Sequence, residues 1–241
     1  NLAYWPLYWT VLYHLKRQLG MERIRYSICG AAPASPELFE WFNAIGVPLR
    51  EGYGQTESTG VIAIQRLNRP KSGYVGEALP GVEIKIAIDG EILAKGNGVF
   101  KGYYKQDQLT SETIQDGWLH TGDVGYTDEE GCIFLVDRRK DMIVTAGYNV
   151  YPAEIERVLS KHPAVAMAAV GKVPDELKGE LAHAYIVLKT GAAADKDEII
   201  EFCRGKLAKY KIPKSAIIVD ALPRTAAGKV LKRELREQFG E

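Results

Sequence analysis

The sequence predicts an α/β architecture followed by an α+β one. Residues 1–75 read as the end of a large parallel-sheet subdomain, 76–137 as a small antiparallel, barrel-like β subdomain, and 138–241 as a small α+β domain. Three observations carry this. A strand–helix–strand pattern fills residues 23–50, the unit of a parallel sheet. Between residues 76 and 136 the apolar pattern shortens into alternating runs divided by turn signals. Beyond the charged junction Asp137-Arg-Arg-Lys-Asp141, helical and strand patterns alternate again.

Each element follows from local chemistry. Tyr4, Leu7, Tyr8, Val11, Leu12, Leu15 and Leu19 recur at helical spacing, and Gly20 can stop that helix. Residues 23–29 read as a short buried strand. Ser35 suits an N-cap, with Pro36 in the first helical position and Glu37 and Glu40 in the first turns. The helix ends at Gly46, and residues 47–50 return as a strand. Strands are expected at 83–88, 91–95, 122–127 and 132–136, separated by Pro80-Gly81, Asp89-Gly90, Asp116-Gly117 and Glu130-Gly131. The last part predicts helices at 152–161, 196–209 and 231–239, and strands at 165–173, 182–189 and 216–219.

Composition excludes several function classes. Lys plus Arg and Asp plus Glu are 31 each, so no net field favours nucleic acid or an anionic membrane. Small-molecule partners are expected instead. No apolar run approaches the ~20 residues of a membrane span, which leaves only peripheral membrane contact. Cys29, Cys132 and Cys203 are odd in number and far apart, which reads as reduced thiols in a cytoplasmic protein. No Cys/His cluster has zinc spacing. The chain starts without Met or a signal-peptide layout and inside a helical pattern, so it is expected to be a piece of a longer protein.

Four segments can carry chemistry. Glu51-Gly-Tyr-Gly-Gln-Thr-Glu57 follows a predicted strand, and ligands of open α/β sheets sit beyond the carboxyl ends of strands. Gly52 and Gly54 allow close backbone approach, Tyr53 offers a flat face to a base, Thr56 a hydroxyl to phosphate, and Glu57 a hard oxygen to Mg²⁺. Alone, the segment also reads as an ordinary glycine turn. His120-Thr-Gly-Asp123 supplies a carboxylate that can accept from a ribose diol, or merely cap a turn. Arg138 has the fork to bind a sugar or phosphate, though with Lys140 it also reads as a solvated linker. Pro223-Arg-Thr-Ala-Ala-Gly-Lys229 makes a narrow loop whose Lys229 can set a point charge beside carboxylate and phosphate oxygens, or be a surface lysine. There is no GxxxxGK[ST] loop, no GxGxxG spacing and no GxSxG elbow.

In order and spacing these segments resemble the adenylate-forming superfamily of acyl-CoA synthetases, luciferases and peptide-synthetase adenylation domains. Glu51 to Glu57 is similar to its adenine- and Mg-binding motif. Gly90-Glu-Ile-Leu-Ala-Lys-Gly96 with Gly102-Tyr-Tyr104 is similar to its β-subdomain signature, and Gly117-Trp-Leu-His-Thr-Gly-Asp123 to its ribose motif. Asp137-Arg-Arg-Lys-Asp-Met-Ile143, Ala146-Gly-Tyr-Asn149 and Pro152-Ala-Glu-Ile-Glu156 resemble the hinge and the loop after it, and Pro223 to Lys229 the catalytic-lysine loop.

The resemblance implies roles at matching positions. Gly30, Ala31 and Ala32 would line the adenine site, with Glu51 near the amino group, Gly52 and Gly54 beside it and Tyr53 stacked on the base. Thr56 would hold the α-phosphate, Glu57 the Mg²⁺, and Asp123 and Arg138 the ribose hydroxyls. Gly147 and Tyr148 would lie by the CoA pantetheine tunnel, Lys140 would be the hinge, and Lys229 the lysine of adenylation. The implied reaction joins ATP, a carboxylic acid and CoA through an acyl-adenylate, with a fatty acid as the expected acid. An aryl or other small acid, or a non-catalytic chain that keeps the fold, are the alternatives. The family's Gly/Ser/Thr-rich phosphate loop is absent from these residues. The chain by itself is therefore expected to show no more than trace activity, and its uncovered sheet to invite a partner or a second copy.

Overall fold

The computed structural model describes residues 4–30, 36–66, 74–225 and 228–239. It has the mixed α/β character the sequence predicts, and it divides into two compact units. The first holds residues 1–121 and 125–135, the second 122–124 and 136–241.

The first unit opens on helical turns: α1 (Tyr4–Leu7), a π-helical segment (Tyr8–Leu12) and α2 (Tyr13–Gln18). Then come β1 (Ser27–Cys29), α3 (Pro36–Ala44) and β2 (Leu49–Tyr53). Strands β1 and β2 pair in parallel, Ser27 opposite Leu49 and Cys29 opposite Glu51. The expected cap Ser35 lies outside the described residues. Lys16 of α2 is buried and donates to the Gly46 carbonyl at 2.8 Å, a cation placed just past the end of α3 where helix carbonyls lack partners. Two short strands, β3 (Ala63–Ile64) and β4 (Glu77–Ala78), extend the sheet antiparallel in the order β1-β2-β3-β4.

A second sheet follows. It contains β5 (Val82–Ile86), β6 (Glu91–Gly96), then after α4 (Asp107–Thr113) β7 (Ile114–Gln115), β8 (Trp118–Thr127) and β9 (Ile133–Arg138). Its order is β5-β6-β8-β7, with β9 also on β8. Strand β8 starts at Trp118 rather than at residue 122: the glycine at 122 lies inside the strand, and the true turn is Asp116-Gly117, both left-handed. Tyr53, Ile62, Ala63, Val75, Ile92, Ala94, Leu119 and Ile133 fill one core between the two sheets.

The second unit contains β10 (Ile143–Thr145), β11 (Tyr148–Val150), α5 (Pro152–Leu159), β12 (Val165–Asp175), β13 (Gly179–Leu188), α6 (Lys196–Arg204), β14 (Ser215–Ile218) and α7 (Lys232–Phe239). The sheet runs β11-β10-β13-β12, with β14 parallel to β13. Alternation along β13 splits the packing between two faces. Ala182, Ala184 and Ile186 join Ile155, Leu159, Ile199 and Cys203 of α5 and α6. Tyr185 joins Val219, Leu222 and Leu235, the last from α7. Asp195 caps α6 by accepting from the Glu198 N–H at 2.8 Å. That helix stops before Gly205, five residues short of the expected end.

Candidate functional site

The parallel pairing of β1 and β2 puts the residues after both strands at one end of the sheet. Gly30 follows β1, and a Cβ on it would come within 2.8 Å of the Gly52 carbonyl oxygen, so the two backbones run in close contact. Ala31 and Ala32 lie outside the described residues. Glu51 is half-buried, and burial lifts its carboxyl from 4.5 to about 7. Its backbone N–H donates to Gln65 Oε1, and its carbonyl accepts from the Gln65 N–H.

Tyr53 is only 7% exposed and belongs to the core of the unit, so the structure packs the ring that the sequence offered as an open face. Gly54 is needed by the turn itself. A Cβ there would overlap the carbonyl of Gly60, so the glycine is required for the turn to close on itself. Thr56–Ser58 form one 3₁₀ turn, stapled at its start by reciprocal bonds between Gln55 and Ser58. Thr56 is exposed on this turn. Glu57 turns inward, its Oε1 accepting from the Tyr103 hydroxyl at 2.8 Å.

In the second unit, Asp123 is 8% exposed and its Oδ1 lies 3.7 Å from Arg138 Nε. The Lys229 ammonium shares this environment. Burial lowers its pKa first, Arg138 and Lys140 lower it further, and Asp123 and Asp141 act the other way. The Lys229 ammonium thus feels Arg138, Lys140, Asp123 and Asp141, although Asp123 and Lys229 lie in distant parts of the sequence. The loop that carries Lys229 is closed at its base. Arg224 and Val230 form an antiparallel bridge, the Thr225 N–H donates to the Lys229 carbonyl at 2.8 Å, and the Leu231 N–H donates to the Pro223 carbonyl.

Lys140 is exposed in the middle of a 3₁₀ turn, Arg139–Asp141, that directly follows β9. Just before it, Asp137 uses both oxygens: Oδ1 accepts from the Arg138 N–H and Oδ2 from the Ala153 N–H at 2.8 Å, at the start of α5. Ala146 and Gly147 make the two-residue turn between β10 and β11, with φ of 47° and 83°. Gly147 faces open space, and Tyr148 stacks on Tyr210 with ring centroids 4.7 Å apart.

A family model described as AMP-binding enzyme matches residues 5–104, and one described as AMP-binding enzyme C-terminal domain matches residues 154–229. The chain belongs to the AMP-binding enzymes. Among its relatives in that family is the 2-succinylbenzoate–CoA ligase of Bacillus cereus (strain ATCC 14579), 42% identical, with 96% of this chain matched to 51% of the relative. Another is the 3-[(3aS,4S,7aS)-7a-methyl-1,5-dioxo-octahydro-1H-inden-4-yl]propanoyl:CoA ligase of Rhodococcus jostii (strain RHA1), 40% identical over 96% of this chain and 46% of the relative. The o-succinylbenzoate CoA synthetase of Bacillus subtilis has been solved with its acyl-adenylate intermediate, and its structure superposes with a TM-score of 0.82 at 38% identity, over 94% of this chain and 49% of that one. The same enzyme with ATP and magnesium ion gives 0.81 at 38% identity, over 94% and 50%. The chain spans about half the length of the curated relatives it matches.

For an AMP-binding enzyme, the informative contact that sequence reading missed is Tyr103 on Glu57. The Gly102-Tyr-Tyr104 motif is visible in the sequence, but no local pattern connects it to a carboxylate 46 positions earlier.

Proposed function

We propose that this chain carries the nucleotide-handling and lysine-bearing parts of a CoA ligase that makes an acyl-adenylate from ATP and a carboxylic acid, then transfers the acyl group to CoA. The observation that carries the reading is the Asp123–Arg138 pair at 3.7 Å, with a half-buried Lys229 ammonium whose pKa both of them move. Carboxylate and triphosphate repel each other, so their reaction needs fixed positive charge where the new negative charge develops. Lys229 and Arg138 supply it, and burial strengthens their field. Asp123 would accept from a ribose diol, with Arg138 paired to it at 3.7 Å. Glu51, with a carboxyl near 7, would accept from an adenine amino group beside Gly30 and Gly52. Thr56 offers its hydroxyl to the α-phosphate.

The residues also suit Mg²⁺. One oxygen of Glu57 is engaged by Tyr103, which leaves Oε2 for an ion. Among the described residues no group of three or more His, Cys, Asp or Glu forms a cage. A single carboxylate fits an ion that keeps its waters and takes its other ligands from phosphate. When bound, Mg²⁺ supplies neutralisation of phosphate charge.

Lys140 is the pivot in this reading, carrying Lys229 away and bringing Gly147 and Tyr148 towards the pantetheine arm of CoA between half-reactions. The Asp137–Ala153 bond spans the pivot in sequence, so turning there requires its release. The acid class favoured is a ring-bearing carboxylic acid, because the relatives named above act on succinylbenzoate and on a dioxo-octahydroindene propanoate. The fatty-acid expectation has no comparable support. ATP–pyrophosphate exchange in the whole protein tests the reading. Lys229→Ala is expected to lower exchange at least ~100-fold and to spare thioester formation from supplied acyl-adenylate. Unchanged exchange would remove Lys229 from its role.

A further inference from the structure

Tyr103 has no part in the reaction as derived so far, yet the molecule holds its phenol with care. Its hydroxyl donates to Glu57 Oε1 at 2.8 Å. The backbone is fixed as well. The Tyr103 N–H donates to Thr110 Oγ1 at 2.9 Å. Gly102 stands at φ 147°, and a Cβ there would lie 2.5 Å from Thr110 Cγ2, so only glycine lets the chain run this close to α4. Phe100 packs edge-on against the Tyr103 ring with centroids 4.8 Å apart. The same segment grips the turn that carries Glu57. The Phe100 N–H donates to the Glu57 carbonyl at 2.8 Å, and Thr59 Oγ1 donates to the Gly98 carbonyl at 2.6 Å.

We propose that Tyr103 is a positioning residue for Glu57, pinning Oε1 so that Oε2 is already presented to the nucleotide's metal ion. This rests on the reading that Glu57 holds the ion. A free glutamate has several rotatable bonds, and ordering them on binding opposes association; a pinned one is ordered beforehand. The phenol also draws some charge from the carboxylate, so its benefit is one of geometry. Hydrogen-bond partners of metal ligands commonly change metal affinity about tenfold or more when removed.

The test titrates Mn²⁺ in the presence of ATP, followed by electron paramagnetic resonance, in wild type, Tyr103→Phe and Glu57→Gln. Tyr103→Phe keeps the ring against Phe100 and removes only the hydroxyl. Its nucleotide-dependent Mn²⁺ affinity is expected to fall about tenfold, with ATP binding in EDTA unchanged. A purely structural tie would weaken ATP binding with and without metal alike, and that result overturns the proposal. So does wild-type Mn²⁺ affinity in Tyr103→Phe when Glu57→Gln has lost it. Glu57→Gln that binds Mn²⁺ as tightly as wild type, or wild type with no ATP-dependent Mn²⁺ binding, overturns the reading of Glu57 itself.

Discussion

Glu51 is a side chain whose behaviour depends on its burial. Its carboxyl rises from 4.5 to about 7, so between those values the folded state binds more protons than the unfolded state. Stability contributed here is therefore lost as pH climbs from about 4.5 to 7, and the full cost is present above that. Glu51→Gln removes the titration while keeping the shape. Calorimetric melts should show the variant gaining melting temperature over wild type at pH 8 and the gain shrinking towards zero at pH 4.5; an equal gain at both ends would sink the argument. Lys229 is displaced in the direction opposite to Glu51, with burial the largest cause and Arg138 the next. A carboxylate at 51 is plain in the sequence. Its raised pKa is not, because it comes from burial that only the folded sheet creates.

The turn between β10 and β11 carries a conflict that can be measured. Both of its central residues are left-handed, as two-residue hairpins of this kind require, but the first is Ala146. An alanine pays a steric cost in that region that glycine escapes. Ala146→Gly is expected to stabilise the second unit by about 0.5–1 kcal/mol, read from urea melts, whereas Gly147→Ala should cost about 1 kcal/mol despite the open space around it. Elements with a local signal were legible: Pro36 and Pro152 start helices, alternation marks β5, and apolar runs mark β12 and β13. Those without one were not. Helix α4 has a single large apolar residue, the exposed Leu109, and hence no stripe to find. Strands β3, β4 and β7 have two residues each, too few for alternation to register.

The two units keep separate cores. Ile143, Ile155, Leu159, Ile186 and Ile199 pack within the second, and Ile62, Ile92, Leu119 and Ile133 within the first. Each core can therefore melt by itself. Leu159→Ala should remove about 3 kcal/mol from the second unit and leave the transition of the first in place. A single transition that shifts as a whole would contradict this. Among the described residues no helix is long and apolar enough to cross a membrane. The candidate site was legible as an ordered set of motifs, because each motif is a short run of unusual residues. The influence of Asp123 and Arg138 on Lys229 was not, since it joins strands β8 and β9 to a loop far along the chain. Nor was the burial of Tyr53, an aromatic ring that suits a base and a core equally well.

The closure of the turn at Gly54 has an evolutionary reading. What a larger residue would strike there is the main chain of Gly60, which has no rotamer to move aside. Codon 54 therefore has one permitted meaning. Saturation mutagenesis at that codon, selected for protease-resistant protein, should return glycine alone, with alanine purged as thoroughly as tryptophan.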